Sequence, residues 1–176
     1  LGVDVAAADE SDLADLADVA ARTFPLACPP GASPENIGAF VAEQLSQSRF
    51  REYLADPDRA VFVARDGARI LGYAMLIRGV PDDADVERAV AARPAVEVSK
   101  IYVLPESHGT GAGSALMTAA LRWARDAGAR SVWLGVNQQN RRAQRFYAKH
   151  GFVVTGTKTF RLGAGIENDF VLVRAL

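Results

Sequence analysis

A chain of 176 residues with a formal net charge of −1, 49% hydrophobic residues and one cysteine reads as a single domain, large enough to bury roughly 70% of the surface its unfolded form exposes. So balanced a charge argues against nucleic acid as the main partner, because a phosphate backbone demands clustered cations. Cys28 alone forms no internal disulfide, and with His108 and His150 the only histidines no cysteine cluster or multi-histidine metal site is available.

No apolar run approaches ~18 residues and no basic-then-apolar start occurs, so no membrane span or signal peptide is expected and the reading is cytoplasmic. Residues 3–6 read as a short strand. Asp9 or Ser11 can cap a helix to about Thr23, with Leu13, Leu16, Val19 and Ala20 on its apolar face. Residues 24–32 are a proline-rich loop. Ser33-Pro34 is an N-cap and N1 pair that opens a helix through Gln44, with Ile37, Phe40, Val41 and Leu45 inward. Another short helix starts at Ser48 and ends near Asp56-Pro57. Residues 59–65 and 69–78 are strand-like and joined by Asp66-Gly67, a strong hairpin signal. Residues 79–94 turn polar and acidic, with Asp82, Asp83, Asp85 and Glu87. They read as a mobile excursion near a site mouth with one helical turn around 86–91, either an acidic lip for a cationic substrate or a solvated loop.

Residues 96–128 run from a strand through a glycine-rich turn into an amphipathic helix. The strand stops at Pro105, and Leu116, Met117, Ala120, Leu121 and Ala124 form one helical stripe ahead of Gly128. Between them lie Gly109, Gly111 and Gly113. Unpaired amides gathered at the positive end of a helix dipole form a phosphate cradle. A Walker loop would need Lys and then Ser/Thr after its last glycine, but Gly113 is followed by Ser114-Ala115. The dinucleotide fingerprint fails too, because its third glycine would fall on Ser114 or Leu116.

Residues 131–136 read as strand, Asn140 as the cap of a helix over 141–150 that ends at Gly151, and 152–155 and 158–162 as strand with a bend or bulge at Gly156. A last strand covers 168–174. The order of elements implies an α/β (α+β) domain with a mixed sheet covered on both faces.

The segment His108-Gly109-Thr110-Gly111-Ala112-Gly113 resembles the acyl-CoA loop of the GNAT superfamily of N-acetyltransferases, with His108 where that family usually has Gln or Arg. Asn140-x-x-Ala143-x-x-Phe146-Tyr147-x-x-x-Gly151-Phe152 resembles the second signature of the same superfamily, and the two occur in the family's order and spacing. The tail is similar to that of the PaiA-type polyamine acetyltransferases. The resemblance implies the GNAT fold, a mostly antiparallel mixed sheet with helices on both faces. It implies acetyl-CoA as cosubstrate and no metal. Its pyrophosphate would sit on the segment from His108, Gly109, Thr110, Gly111, Ala112 and Gly113 to Ser114, and its pantetheine arm along Ile101, Tyr102 and Val103. Asn140 and Tyr147 would contact it as well, and Tyr147 would be the general acid. A homodimer is compatible with the superfamily, and neither nucleic acid nor membrane is an implied partner.

Direct transfer needs a neutral amine, and an amine of pKa ~10.4 is neutral at pH 7 in only about one molecule in a few thousand. Glu97 stands eleven positions before His108 (108 − 97), where some histone-type members carry a catalytic glutamate. An ordinary carboxylate of pKa ~4.3 would take that proton uphill by roughly 8 kcal/mol, so Glu97 needs a raised pKa or a water relay. Its other reading is a solvent-facing strand residue or a partner for Lys100. Protonation of a thiolate by a tyrosine is uphill by only about 2 kcal/mol. The expected function is therefore acetyl transfer from acetyl-CoA to a primary amine of a small molecule, with polyamines the first acceptors implied. The alternatives are a peptide or protein amine as acceptor, or a non-catalytic acyl-CoA-binding regulator.

Overall fold

Seven strands pair into one sheet in the order β1-β2-β3-β4-β5-β7-β6, and the central β3 and β5 are buried on both faces. The computed structural model describes residues 2–176. The strands are β1 (Asp4–Ala7), β2 (Arg59–Asp66), β3 (Arg69–Arg78), β4 (Ala95–Val103), β5 (Ser131–Asn137), β6 (Val153–Leu162) and β7 (Gly165–Ala175). The helices are α1 (Leu13–Ala27), α2 (Pro34–Gln44), α3 (Gln47–Ala55), α4 (Ala84–Ala89), α5 (Ala112–Asp126) and α6 (Arg141–Lys149). Every strand pair is antiparallel except β4 with β5. No helix among the described residues is long and apolar enough to cross a membrane.

Short polar side chains set the helix starts. Asp9 and Asp12 form a reciprocal capping box on a 3-10 turn that leads into α1, Ser33 caps α2 ahead of Pro34, Ser46 caps α3 and Asn140 caps α6. Each such cap is worth about 1 kcal/mol. The stripe of α5 from Leu116 to Ala124 is buried against Leu76, Val96, Val98, Val132 and Leu134. Each fully buried Leu or Met contributes roughly 1.5–3 kcal/mol. On the opposite face α1 and α3 press Leu16, Phe24 and Phe50 onto Val61, Val63, Tyr73 and Met75.

Two irregularities in β4 create the functional geometry. The first is a β-bulge: Leu76 opposes Val98 and Met75 opposes Lys100, leaving Ser99 as the extra residue. Val96 and Val98 face α5 before the bulge, and Ile101 and Val103 face it afterwards. The alternation has therefore shifted by one, which puts Lys100 on the same face as Glu97 instead of under α5. The second is the short parallel pairing, with only the rungs Ala95–Ser131, Val96–Val132 and Glu97–Trp133. Beyond Glu97 the strands part.

Two regions differ from the sequence expectation. Helix α1 continues through Pro25 to Ala27. Pro25 lies in the last turn, where the bond it cannot donate frees only the carbonyl of exposed Ala21, and Phe24 is held by a 4.4 Å stack on Phe40. Residues 79–94 form no lip on the cleft. Val86, Ala89 and Val90 of this segment are buried with Trp133 and Val171, and it is tied down by Trp133 Nε1 donating to the Gly79 carbonyl (3.3 Å) and Ser131 Oγ donating to that of Ala92 (2.6 Å). Its apolar residues, not its four acids, decide where it lies.

A Cβ added at Gly72 on β3 would stand 2.5 Å from the Tyr102 carbonyl oxygen and 3.0 Å from Val103 Cα. Backbone cannot yield as a side chain does, so Gly72→Ala is expected to lower stability by about 1–3 kcal/mol in urea denaturation. An unchanged midpoint would mean that β3 and β4 pair more loosely there.

Candidate active site

Where β4 and β5 part, a cleft of about 690 Å³ opens across the sheet, lined by residues of β4, β5, β6, β7, α1, α6 and the turn before α5. At one end the chain leaves β4, makes a 3-10 turn over Pro105–Ser107 and enters α5 with Gly111 as N-cap. Gly109 and Gly111 have φ of 85° and 88°, a region that costs an L-residue about 1–2 kcal/mol. A Cβ at either would meet nothing within 4 Å, so conformation, and not crowding by the protein, requires glycine at both. Gly113 is different. It is helical, and a Cβ there would touch the Phe146 ring at 3.3 Å. Its absence lets α6 lie against the head of α5, where Ser114 Oγ and His150 Nε2 are 3.2 Å apart.

The turn spends some of its amides internally. Thr110 N donates to the Ser107 carbonyl (3.3 Å) and Ala112 N to Thr110 Oγ1 (3.3 Å). The amides of Gly109, Gly111, Gly113 and Ser114 have no acceptor among the described residues. These uncommitted donors at a helix N-terminus suit an anionic ligand. His108 turns away from such a role. Its Nε2 lies 3.0 Å from the Val103 carbonyl, and since a carbonyl only accepts, that nitrogen carries the proton. The ring thus pins the turn to the end of β4.

Tyr147, on α6, is 7% exposed and stands between Phe146 and Phe152, with centroids 5.6 and 6.0 Å away. It lines the cleft, and its hydroxyl has no hydrogen-bond partner among the described residues. Burial pushes its pKa well above the ordinary tyrosine value, so the hydroxyl stays protonated and has a proton to donate, though as a weaker acid than a free tyrosine. Asn140 uses Oδ1 to accept from Ala143 N at 3.2 Å, the cap expected from sequence, which leaves its NH₂ uncommitted at the cleft edge. Ile101 packs under α5, whereas Tyr102 belongs to the opposite core. Of the 101–103 segment it is the backbone edge towards β5 that is open.

Glu97 occupies the last rung before the strands part, partly buried and facing the cleft. Burial raises its pKa, and the cations Lys100, Lys158 and Arg59 only partly offset that. The shift is in the direction that a proton acceptor for an amine needs. No ion pair joins Glu97 to Lys100 among the described residues, and Glu97 is not a solvent-facing strand residue.

Three further charged residues on this floor escaped the sequence reading as site residues. Lys158 and Asp169 form an ion pair at 3.6 Å with side chains 14% and 9% exposed. Gly135 makes room for it, since a Cβ there would lie 2.6 Å from Lys158 Cε and 3.0 Å from Asp169 Oδ2. Lys100 Nζ donates only to the carbonyl and hydroxyl of Ser99, at 3.1 and 3.4 Å, and burial pulls its pKa down. The available signal was a charge inside each of three otherwise β-forming runs.

Open strand edge, free amides and a protonated tyrosine around one cleft describe a transferase site for an extended, phosphate-bearing donor. Residues 16–152 match the acetyltransferase (GNAT) family. The chain belongs to that family and is an acetyl-CoA-dependent N-acetyltransferase. It is 60% identical over 166 residues to an uncharacterised N-acetyltransferase of Mycobacterium tuberculosis, covering 94% of this chain and 99% of that protein. In fold it is similar to the PaiA N-acetyltransferase of Thermoplasma acidophilum, solved in complex with coenzyme A, with a TM-score of 0.79, 19% identity and complete coverage of both chains. It is also similar to the ribosomal-protein-S18-alanine N-acetyltransferase of Escherichia coli, with a TM-score of 0.68, 17% identity and 99% and 94% coverage.

The placement of Glu97 has a consequence for stability. A carboxyl whose pKa rises on folding imposes no cost below its unfolded value near 4.5. The cost grows as pH rises through the window between unfolded and folded values, and is complete above the latter. Glu97→Gln is therefore expected to be more stable than the parent at pH 8, with the difference vanishing towards pH 4 in a pH series of denaturation curves. A variant less stable at pH 8 would mean that Glu97 is held by its cationic neighbours.

Proposed function

We propose that this chain transfers the acetyl group of acetyl-CoA directly to a primary amine of a small molecule in the cleft between β4 and β5. The observation that carries the reading is the alignment of the four free amides at the head of α5 with the unpaired edge of β4, both opening into the cleft that Tyr147 lines. The amides of Gly109, Gly111, Gly113 and Ser114 suit the pyrophosphate, with Thr110 and Ala112 shaping the turn. The edge of β4 at Ile101, Tyr102 and Val103 suits an extended arm that bonds as a strand would. Asn140 offers its free NH₂ to the same arm, and His108 acts by positioning Val103.

Acetyl-CoA supplies an activated thioester. In the proposed reaction a C–N bond forms as the C–S bond breaks. Glu97 takes the proton released from the amine, directly or through water, and the Tyr147 hydroxyl gives one to the departing sulfur, so the protons balance. An amide N–H near Val103 would draw charge onto the acetyl oxygen. The raised pKa of Glu97 supports its part, because it narrows the gap to an amine. Polyamines are the acceptors suggested by the resemblance to PaiA-type enzymes, although the ammonium group of Lys100, which makes no ion pair, weighs against an acceptor that carries only positive charge.

The test is a thermal-shift titration with acetyl-CoA beside an assay of thiol release over a panel of amines. Both are expected to respond, and Gly111→Val to abolish the shift. A shift without thiol release from any amine would make the chain an acyl-CoA-binding regulator. Tyr147→Phe is expected to lower kcat about a hundredfold or more. Glu97→Gln is expected to remove the acidic limb of the kcat/KM profile, and an unaltered limb would exclude it as base.

A further inference from the structure

The bulge at Ser99 places two opposite charges on the same strand and the same face of the cleft. Glu97 lies on the last rung before the strands part. Lys100 is turned to that side by the extra residue. Each feels the other's charge, but no ion pair joins them, whereas Lys158 close by is paired with Asp169. The Lys100 ammonium has three donors and spends two on groups of the adjacent Ser99. It lies beside the paired rings of Phe40 and Phe160, with Nζ 5.5 and 5.9 Å from their centroids. A partly buried ammonium that makes no ion pair and keeps a donor free at a ligand cleft is placed to take an anion from a ligand.

We propose that the acceptor is an amino acid or a like small molecule that carries both a primary amine and a carboxylate, its carboxylate paired with Lys100 and its amine directed to Glu97. This rests on the reading of the cleft as an acetyltransferase site and narrows its substrate class. A zwitterion satisfies both uncommitted charges at once, and the Lys158–Asp169 pair completes the floor without offering a second free cation. Ser99 acts by position: without the extra residue Lys100 would point into the core under α5. An all-cationic acceptor would satisfy Glu97 but bring a positive charge against Lys100, a repulsion that selects against polyamines.

The experiment compares amino acids with their own carboxamides and with spermidine, in the parent enzyme and in Lys100→Met. Two readouts are taken: kcat/KM from thiol release, and ligand contact by saturation-transfer NMR with CoA present. The parent is expected to favour the carboxylate form of at least one amino acid over its carboxamide by about tenfold to a hundredfold, the range for a charge-assisted pair. Lys100→Met is expected to bring that ratio close to one, through KM, and Lys100→Arg to restore part of it. A CoA-induced thermal shift in Lys100→Met verifies that the variant is folded. Turnover of amines with no carboxylate preference, or a preference that survives Lys100→Met, overturns the proposal while leaving acetyl transfer intact. Lys100-dependent contact without turnover would sink acetyl transfer to amines and leave the anion site standing. If no amino acid makes contact in either assay, the proposal fails.

Discussion

Beyond the rung that joins Glu97 to Trp133, β4 has a neighbour on one side only, and the site depends on that gap. A strand edge left open in a partly buried place carries donors and acceptors that each cost about 1–3 kcal/mol if nothing pairs with them. Proteins normally cover such an edge. Here β5 turns to pair with β7 along its full length, from Ser131–Ala175 to Asn137–Asp169, and the edge of β4 is left facing a cleft. The glycine turn follows directly where β4 ends, so the free amides of the α5 head lie at the mouth of the same gap. His108 fixes the junction by donating to the Val103 carbonyl.

The floor of the cleft carries charged groups whose burial costs stability. Glu97, Lys100 and Asp169 sit in strands whose other face carries the apolar core, and Lys158 reaches the same floor from the edge strand β6. Burial shifts Glu97 and Asp169 upwards and Lys100 downwards, so each would be easier to charge in the unfolded chain. The packing of α5 on one face and of α1 and α3 on the other offsets those costs. Gly135 and Gly72 give up side-chain packing for room, one for an ion pair and the other for the close approach of β4.

The frame was legible because it is written in local chemistry. Caps at Asp9, Ser33 and Asn140, the hairpin at Asp66-Gly67, the bulge near Gly156 and the apolar stripe of α5 each have a residue-level cause, and each stands where that cause puts it. The site was legible where motifs carry it, in the glycine turn and in the Asn140-to-Phe152 segment. The bulge at Ser99 was not, because no glycine or proline marks it. It arises from how β3 and β4 pair, and so the turning of Lys100 towards Glu97 lay outside the reach of sequence. The same holds for residues 79–94, whose acids suggested a lip while Val86, Ala89 and Val90 took them under Trp133, and for Pro25, which a buried aromatic stack carries inside a helix.

The most direct measurement of the central claim is amide hydrogen exchange with and without acetyl-CoA. Slowed exchange confined to residues 101–103 and to the amides of Gly109, Gly111, Gly113 and Ser114, with β1 and β2 unchanged, is what a donor lying along the open edge of β4 and capped at the head of α5 requires. Protection elsewhere in the chain, or exchange at these amides that acetyl-CoA leaves untouched, would contradict it.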